Sequence, residues 1–154
     1  LSDEEKSKFI IHKIGFESSP KSREKVEQLA REHAVQLNWI GGVDEHDLIA
    51  SYQHANALLF PSAAEGFGLP VVEAMAAGTM VLASDLPAHN MHLREEFLVS
   101  AENPDAWKEA ISRQLSEPRD VSELMIKDAQ RYSDDYFCKQ LSEAWKQLFE
   151  NKIR

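Results

Sequence analysis

Two carboxylates, Glu65 and Glu73, stand eight residues apart in the most apolar part of the chain, FPSAAEGFGLPVVEAMAAGTMVLAS (60–84). Between them lies the turn Gly66-Phe67-Gly68-Leu69-Pro70. The glycines let backbone approach a ligand closely. A helix starting near Leu69 offers unpaired amides and partial positive charge, which suit a phosphate. Taken singly, each acid reads as an exposed side chain, Glu65 in a loop and Glu73 on a helix. Taken with the preceding strand, the glycines and the helix start, they read as a ligand site. Paired carboxylates also invite a glycosidase reading, with an acid and a nucleophile flanking the bond. That reading is set aside because a phosphate-binding turn between the acids has no role in hydrolysis.

The elements that position these residues follow from the patterning. KFIIHKIG (8–15), QLNWIGG (36–42), NALLFPS (56–62), TMVLAS (79–84) and EFLVS (96–100) read as strands. Helical spacing is expected over 19–35, 44–55, 68–78, 104–116, 119–132 and 134–151. The last carries Phe137, Leu141, Trp145, Leu148 and Phe149 on one stripe. Alternating strands and helices imply an α/β fold, a Rossmann-like doubly wound parallel sheet ending in extra helices. The strands are continuous apolar runs, as doubly buried strands should be. In such sheets ligands bind at the carboxyl ends of strands, and Glu65 follows the strand 56–62 there.

The 154 residues are expected to form a single domain. Lys plus Arg number 17 and Asp plus Glu 26, a net charge of −9. That balance argues against nucleic acid as the main partner. The single cysteine, Cys138, builds neither a disulfide framework nor a cysteine metal site, and fits a cytoplasmic setting. No apolar run is long enough to span a bilayer, and LSDEEKSK lacks a signal peptide's apolar core. The chain also starts without Met, and part of a longer protein is expected.

The stretch 60–84 resembles the donor-site signature of retaining GT-B glycosyltransferases of the group 1, or family 4, type. That signature places two Glu eight residues apart with G-F-G-L-P inside, followed by E-A-M-A-x-G. WIGGVDEHDLIASYQHANALLFPS (39–62) resembles the segment that precedes it, and the likeness covers about residues 8 to 116. The resemblance implies the C-terminal, donor-binding half of a GT-B fold, whose substrate is a nucleoside-diphosphate sugar. Glu73 would bind the ribose hydroxyls, and Glu65, the catalytic residue, would contact hydroxyls of the donor sugar. Backbone at Gly66, Phe67, Gly68 and Leu69 would hold the sugar or the diphosphate, and Val43 would line the base pocket. A carboxylate accepts two hydroxyls at once, and helix amides stabilise charge on a leaving diphosphate. No metal and no cofactor are implied. The setting is polysaccharide or glycoconjugate assembly in the cytoplasm, with the parent at the membrane's inner face and an acceptor glycan or lipid on a missing N-terminal domain. The fragment alone is expected to be inactive. The competing reading is a non-catalytic nucleotide- or sugar-binding Rossmann-like module.

The chain departs from the family in one respect that bears on the fold. The first strand and the Arg/Lys pair that clamps the diphosphate have no counterpart, and Lys13 and Lys21 do not sit in that pattern. Without a central strand, 8–15 and 56–62 are expected to pair directly or to accept an added strand, including one exchanged with a second copy in a homodimer. Where many members carry a Glu after the fourth strand, Asn90 and Met91 stand here. His89 and His92 could meet on a helical turn, a weak sign of a metal by itself. Trp39, Trp107 and Trp145 read as packing residues.

Overall fold

The structure, a computed structural model, describes residues 1–16 and 19–150, with side chains described through residue 143. In chain order the elements are α1 (Asp3–Ser7), β1 (Ile10–Ile14), α2 (Pro20–Glu32), β2 (Gln36–Ile40), α3 (Glu45–His54), β3 (Leu58–Phe60), α4 (Leu69–Ala76), β4 (Val81–Ser84), α5 (Pro87–Asn90), β5 (Leu98–Val99), α6 (Pro104–Ser116), α7 (Ser122–Ala129) and α8 (Asp134–Glu150). Single 3-10 turns cover Glu95–Phe97 and Gln130–Tyr132. The α/β alternation is the expected one, and every strand pair is parallel. Two short helices were not expected. α1 is built on a capping box, in which Ser2 Oγ accepts from the Glu5 amide at 3.2 Å and the Glu5 carboxylate accepts from the Ser2 amide at 2.6 Å. α5 begins at Pro87, whose fixed φ suits a first helical position. The outer part of the expected α8 stripe, Trp145, Leu148 and Phe149, lies outside the described side chains.

The chain divides into two compact units, residues 1–51 with 103–119 and residues 52–102 with 120 onward. In the first, β1 pairs with β2 in register from Ile10↔Gln36 to Ile14↔Ile40. The expectation of doubly buried strands fails for β1, where Ile10 is 49% and Ile11 36% exposed. A two-stranded sheet has little to cover it, and α2 contributes no buried residue. Trp39 on β2 has Lys13 Nζ at 5.5 Å and the Arg23 guanidinium at 5.4 Å from its ring, so cations cover a side chain expected simply to pack.

In the second unit β4 lies between β3 and β5, pairing Leu58↔Val81 on one side and Ala83↔Leu98 on the other. All four β4 residues are buried, which is why this run is uninterruptedly apolar until Ser84. α4 buries Val71, Ala74 and Met75, α7 buries Met125 and Ala129, and the two helices pack on each other. Phe97 joins the same core.

The direct pairing expected between β1 and β3 does not form. The strands make two sheets, β1-β2 and β3-β4-β5, rather than one of five strands. Each sheet taken by itself has a neighbour order found in doubly wound folds. Each connection that makes a parallel pair carries a helix, α2 for β1-β2, α4 for β3-β4 and the short α5 for β4-β5, and α3 joins β2 to β3 without laddering them.

The packing predicts a sharp contrast. Phe97→Ala removes a side chain that is 1% exposed and should cost about 3–5 kcal/mol in urea unfolding. Phe137→Ala, at a residue 66% exposed, should stay within about 0.5 kcal/mol. Comparable losses at both positions would contradict this core.

Candidate functional site

A cleft of about 430 Å³ opens at the carboxyl end of the three-stranded sheet. Ala63, Ala64, Glu65 and Gly66 line one side and Leu86, Pro87, Ala88 and Met91 the other. The first group is the loop leaving β3, and the second is the chain leaving β4 with α5, which is where parallel sheets bind ligands.

The loop's shape is set at Gly68. This residue is the N-cap of α4 and has φ +87, a left-handed conformation that side chains resist. A Cβ there would stand 3.0 Å from His89 Cδ2. Gly66 has nothing within 4 Å of such an atom, so of the two glycines in this turn it is Gly68 that the fold requires. The Gly68 carbonyl accepts from the Val71 amide at 2.9 Å and the Val72 amide at 3.3 Å, which starts the helix. Among the described residues the amides of Phe67, Gly68 and Leu69 have no acceptor, and Pro70 has no amide. Three N–H groups and the positive end of α4 thus collect at one turn. Glu65 is exposed, and its carboxylate accepts from the Gly66 amide at 3.1 Å.

Glu73 sits in the second turn of α4 and is exposed. It does not line the cleft. Its carboxylate accepts from the Tyr52 hydroxyl at 3.1 Å. Tyr52 is anchored in turn, since Thr79 Oγ1 donates to its carbonyl at 2.6 Å. Burial first, then the charge and hydrogen bond of Glu73, push the Tyr52 phenol well above its ordinary range, so it stays a donor near neutral pH. Helical spacing puts Tyr52 with Leu48 and Ile49 on the apolar side of α3 and says nothing of its hydroxyl. The usable signal was that a half-buried tyrosine carries a hydroxyl needing a partner. Val43 lies half-buried between β2 and α3, in the first unit, and is not among the cleft-lining residues.

Phe67 is held from behind by a set of residues that sequence reasoning missed. His92 Nε2 lies 2.5 Å from the Phe67 carbonyl and Nδ1 lies 2.6 Å from the Tyr132 hydroxyl. A carbonyl only accepts, so Nε2 carries the proton and Tyr132 donates to Nδ1. The Phe67 ring meets His92 edge-on at 4.6 Å and Tyr132 at 5.9 Å. Arg131 donates to the His92 carbonyl at 2.7 Å, and Arg94 pairs with Asp128 through bonds of 2.8 and 3.2 Å. The two histidines imagined as a metal pair therefore have other work, since His89 Nδ1 bonds the Ser84 carbonyl at 2.7 Å. Among the described residues, Asp44, His46 and Asp47 bring ligand atoms within 4.8 Å of one another, but all three are exposed and Asp44 caps α3 at the Asp47 amide, 2.8 Å.

Burial holds the His92 imidazole below the ordinary histidine range; the bond to the Phe67 carbonyl opposes this, and Arg131 and His89 reinforce it. A histidine kept neutral in the fold takes up its proton first in the unfolded chain. Its contribution is present above the unfolded value of about 6.5 and is lost as pH falls toward the lower folded value. Urea unfolding at about pH 7.5 and about pH 5.5 should show lower stability in acid. His92→Gln should reduce that difference, and an unchanged difference would contradict the assignment.

Residues 1–132 match the family model described as glycosyl transferases group 1. The chain is 32% identical over 131 residues to D-inositol 3-phosphate glycosyltransferase of Corynebacterium urealyticum, covering 80% of this chain and 31% of that protein. It is 36% identical over 76 residues to an O-antigen chain mannosyltransferase of Salmonella typhimurium, covering 49% and 22%. To phosphatidyl-myo-inositol mannosyltransferase of Mycobacterium tuberculosis it is 37% identical over 83 residues, covering 51% and 22%. The structure of sucrose-phosphate synthase from Thermosynechococcus elongatus superposes with a TM-score of 0.71 at 28% identity, over 90% of this chain and 38% of that one. The chain thus spans 31% or less of the length of these curated relatives.

Proposed function

The chain belongs to the glycosyl transferases group 1 family, and on that premise we propose that it is the part of a retaining glycosyltransferase that binds the nucleoside-diphosphate sugar. The observation that carries this reading is the turn at Gly68. Unpaired amides of Phe67, Gly68 and Leu69 gather at the start of α4, beside the carboxylate of Glu65. Those amides and the helix dipole hold the diphosphate and stabilise the charge it gains as it leaves. This stabilisation asks for no metal. Glu73 accepts the ribose hydroxyls, with Tyr52 fixing one of its oxygens and leaving the other available. Glu65 exchanges its bond to the Gly66 amide for hydroxyls of the sugar.

The reaction belongs to the longer protein. Transfer needs a second domain that carries the acceptor, a glycan or lipid, and closes on the donor to exclude water. The names of the mannosyltransferase and inositol-phosphate relatives support polysaccharide or glycoconjugate synthesis, and the setting we propose for it is the cytoplasm, at the membrane's inner face. Among the described residues no helix is long and apolar enough to cross a membrane.

Calorimetry with UDP, GDP and ADP sugars and the bare nucleotides tests the reading. One base should bind with a Kd on the order of 10⁻⁴ M or weaker, because among the described residues no Lys or Arg lines the cleft. Glu73→Ala should weaken sugar nucleotide and bare nucleotide alike, by roughly three- to tenfold. Glu65→Ala should weaken only the sugar nucleotide. Equal effects of both changes on the bare nucleotide would contradict the assigned roles.

A further inference from the structure

His89 is completely buried, yet one of its ring nitrogens has no partner. It sits on α5, one residue after Ala88, which lines the cleft. Nδ1 lies 2.7 Å from the Ser84 carbonyl, an acceptor only, so Nδ1 carries a proton, and in the neutral ring Nε2 presents a lone pair. The ring's Cδ2–Nε2 edge faces Gly68. The point where a Cβ on Gly68 would stand is 3.0 Å from Cδ2, 3.4 Å from Nε2 and 3.8 Å from Glu65 Cγ. Phe60 packs edge-on against the ring at 5.5 Å and supplies no hydrogen-bond donor. Buried polar atoms are nearly always paired, and an unmatched one is costly. The same end of β4 carries a second, Ser84 Oγ, which is also buried without a partner.

We propose that Nε2 of His89 is a contact atom of the donor site, accepting a hydrogen bond from a hydroxyl of the donor's sugar beside Gly68, where the ring edge and Glu65 approach the same point. This rests on the sugar-nucleotide reading above and adds a determinant of the sugar to it. The chemistry selects the group. A neutral imidazole lone pair needs a donor, which a sugar hydroxyl is and an ionised phosphate oxygen is not. Gly68 is the residue that makes the contact attainable, because any side chain there would occupy the space against the ring. The loop in front is closed by a bond a ligand can replace, the contact of the Glu65 carboxylate with its neighbouring Gly66 amide. A sugar hydroxyl that takes Glu65 from that amide moves this side chain, whose Cγ stands 3.8 Å from the same point beside Gly68.

Two substitutions separate the ring's nitrogens. His89→Asn keeps a donor for the Ser84 carbonyl and removes Nε2, whereas His89→Gln places an amide acceptor near Nε2. The chain, its two variants, the preferred sugar nucleotide and the matching bare nucleotide are compared by calorimetry, with unfolding followed in parallel. His89→Asn should lose roughly three- to tenfold in affinity for the sugar nucleotide with the bare nucleotide unchanged. His89→Gln should recover most of the loss. In the unsubstituted chain, the ¹⁵N resonance of His89 Nε2 should shift on adding the sugar nucleotide and stay fixed with the bare nucleotide, a readout that needs no variant to fold. If the chain binds the sugar nucleotide but His89→Asn affects both ligands equally, or Nε2 does not respond, His89 is structural and the proposal is wrong. If the unsubstituted chain binds neither ligand, the sugar-nucleotide reading fails and takes this proposal with it.

Discussion

The backbone reversal at Gly68, seated against the His89 ring, is the constraint on which the site depends. Its left-handed φ of +87 turns the chain from the loop after β3 into α4. Were the turn made elsewhere, the amides of Phe67, Gly68 and Leu69 would not gather at one helix start, and Glu65 would not lie at the cleft. The turn is fixed on both sides. His89 backs Gly68 and is itself tied to the end of β4 through the Ser84 carbonyl. His92 backs Phe67 and is tied to the turn after α7 through Tyr132. A loop of glycine and alanine thus acquires a definite shape from two buried histidines of one short segment.

Rigidity is placed accordingly. β4, α4 and α7 form the well-packed part of the second unit, and the facing helices bury the small or unbranched Ala74, Met75, Met125 and Ala129. The site grows from the ends of these elements rather than from a long free loop, which limits what ordering must cost on binding. The polar groups at those ends are of two kinds. Those of His92, Tyr132 and Thr79 are satisfied within the fold, whereas the turn amides, Nε2 of His89 and Ser84 Oγ are not. The second kind is what a hydroxyl- and phosphate-bearing ligand can complete.

Much of this could be read in the chain before its structure. The strand, the glycine turn and the helix start are local, and their residues announced them: LLF before the loop, Gly68 at the cap, Pro70 in the first turn and Gly78 after the last. The supporting residues were hidden because their partners are remote in sequence. Tyr52 meets Glu73 across 21 residues, His92 meets Phe67 across 25 and Tyr132 across 40. Periodicity marked Tyr52 as apolar-facing and could not show that its hydroxyl reaches a carboxylate. Sheet closure was misjudged for a related reason. Apolar runs show that 8–15 and 56–62 are strands, but pairing depends on which edges meet, and these two belong to different sheets. α1 was overlooked although its Ser2-x-x-Glu5 capping box is a local signal.

The central claim, that the turn before α4 receives a sugar nucleotide, is tested most directly by following backbone amide resonances while the ligand is added. The amides of Phe67, Gly68 and Leu69 should move most, in a saturable way and with one common affinity, because they are the unpaired donors at the turn. Saturable binding that shifts resonances elsewhere and leaves these three unmoved would contradict the account.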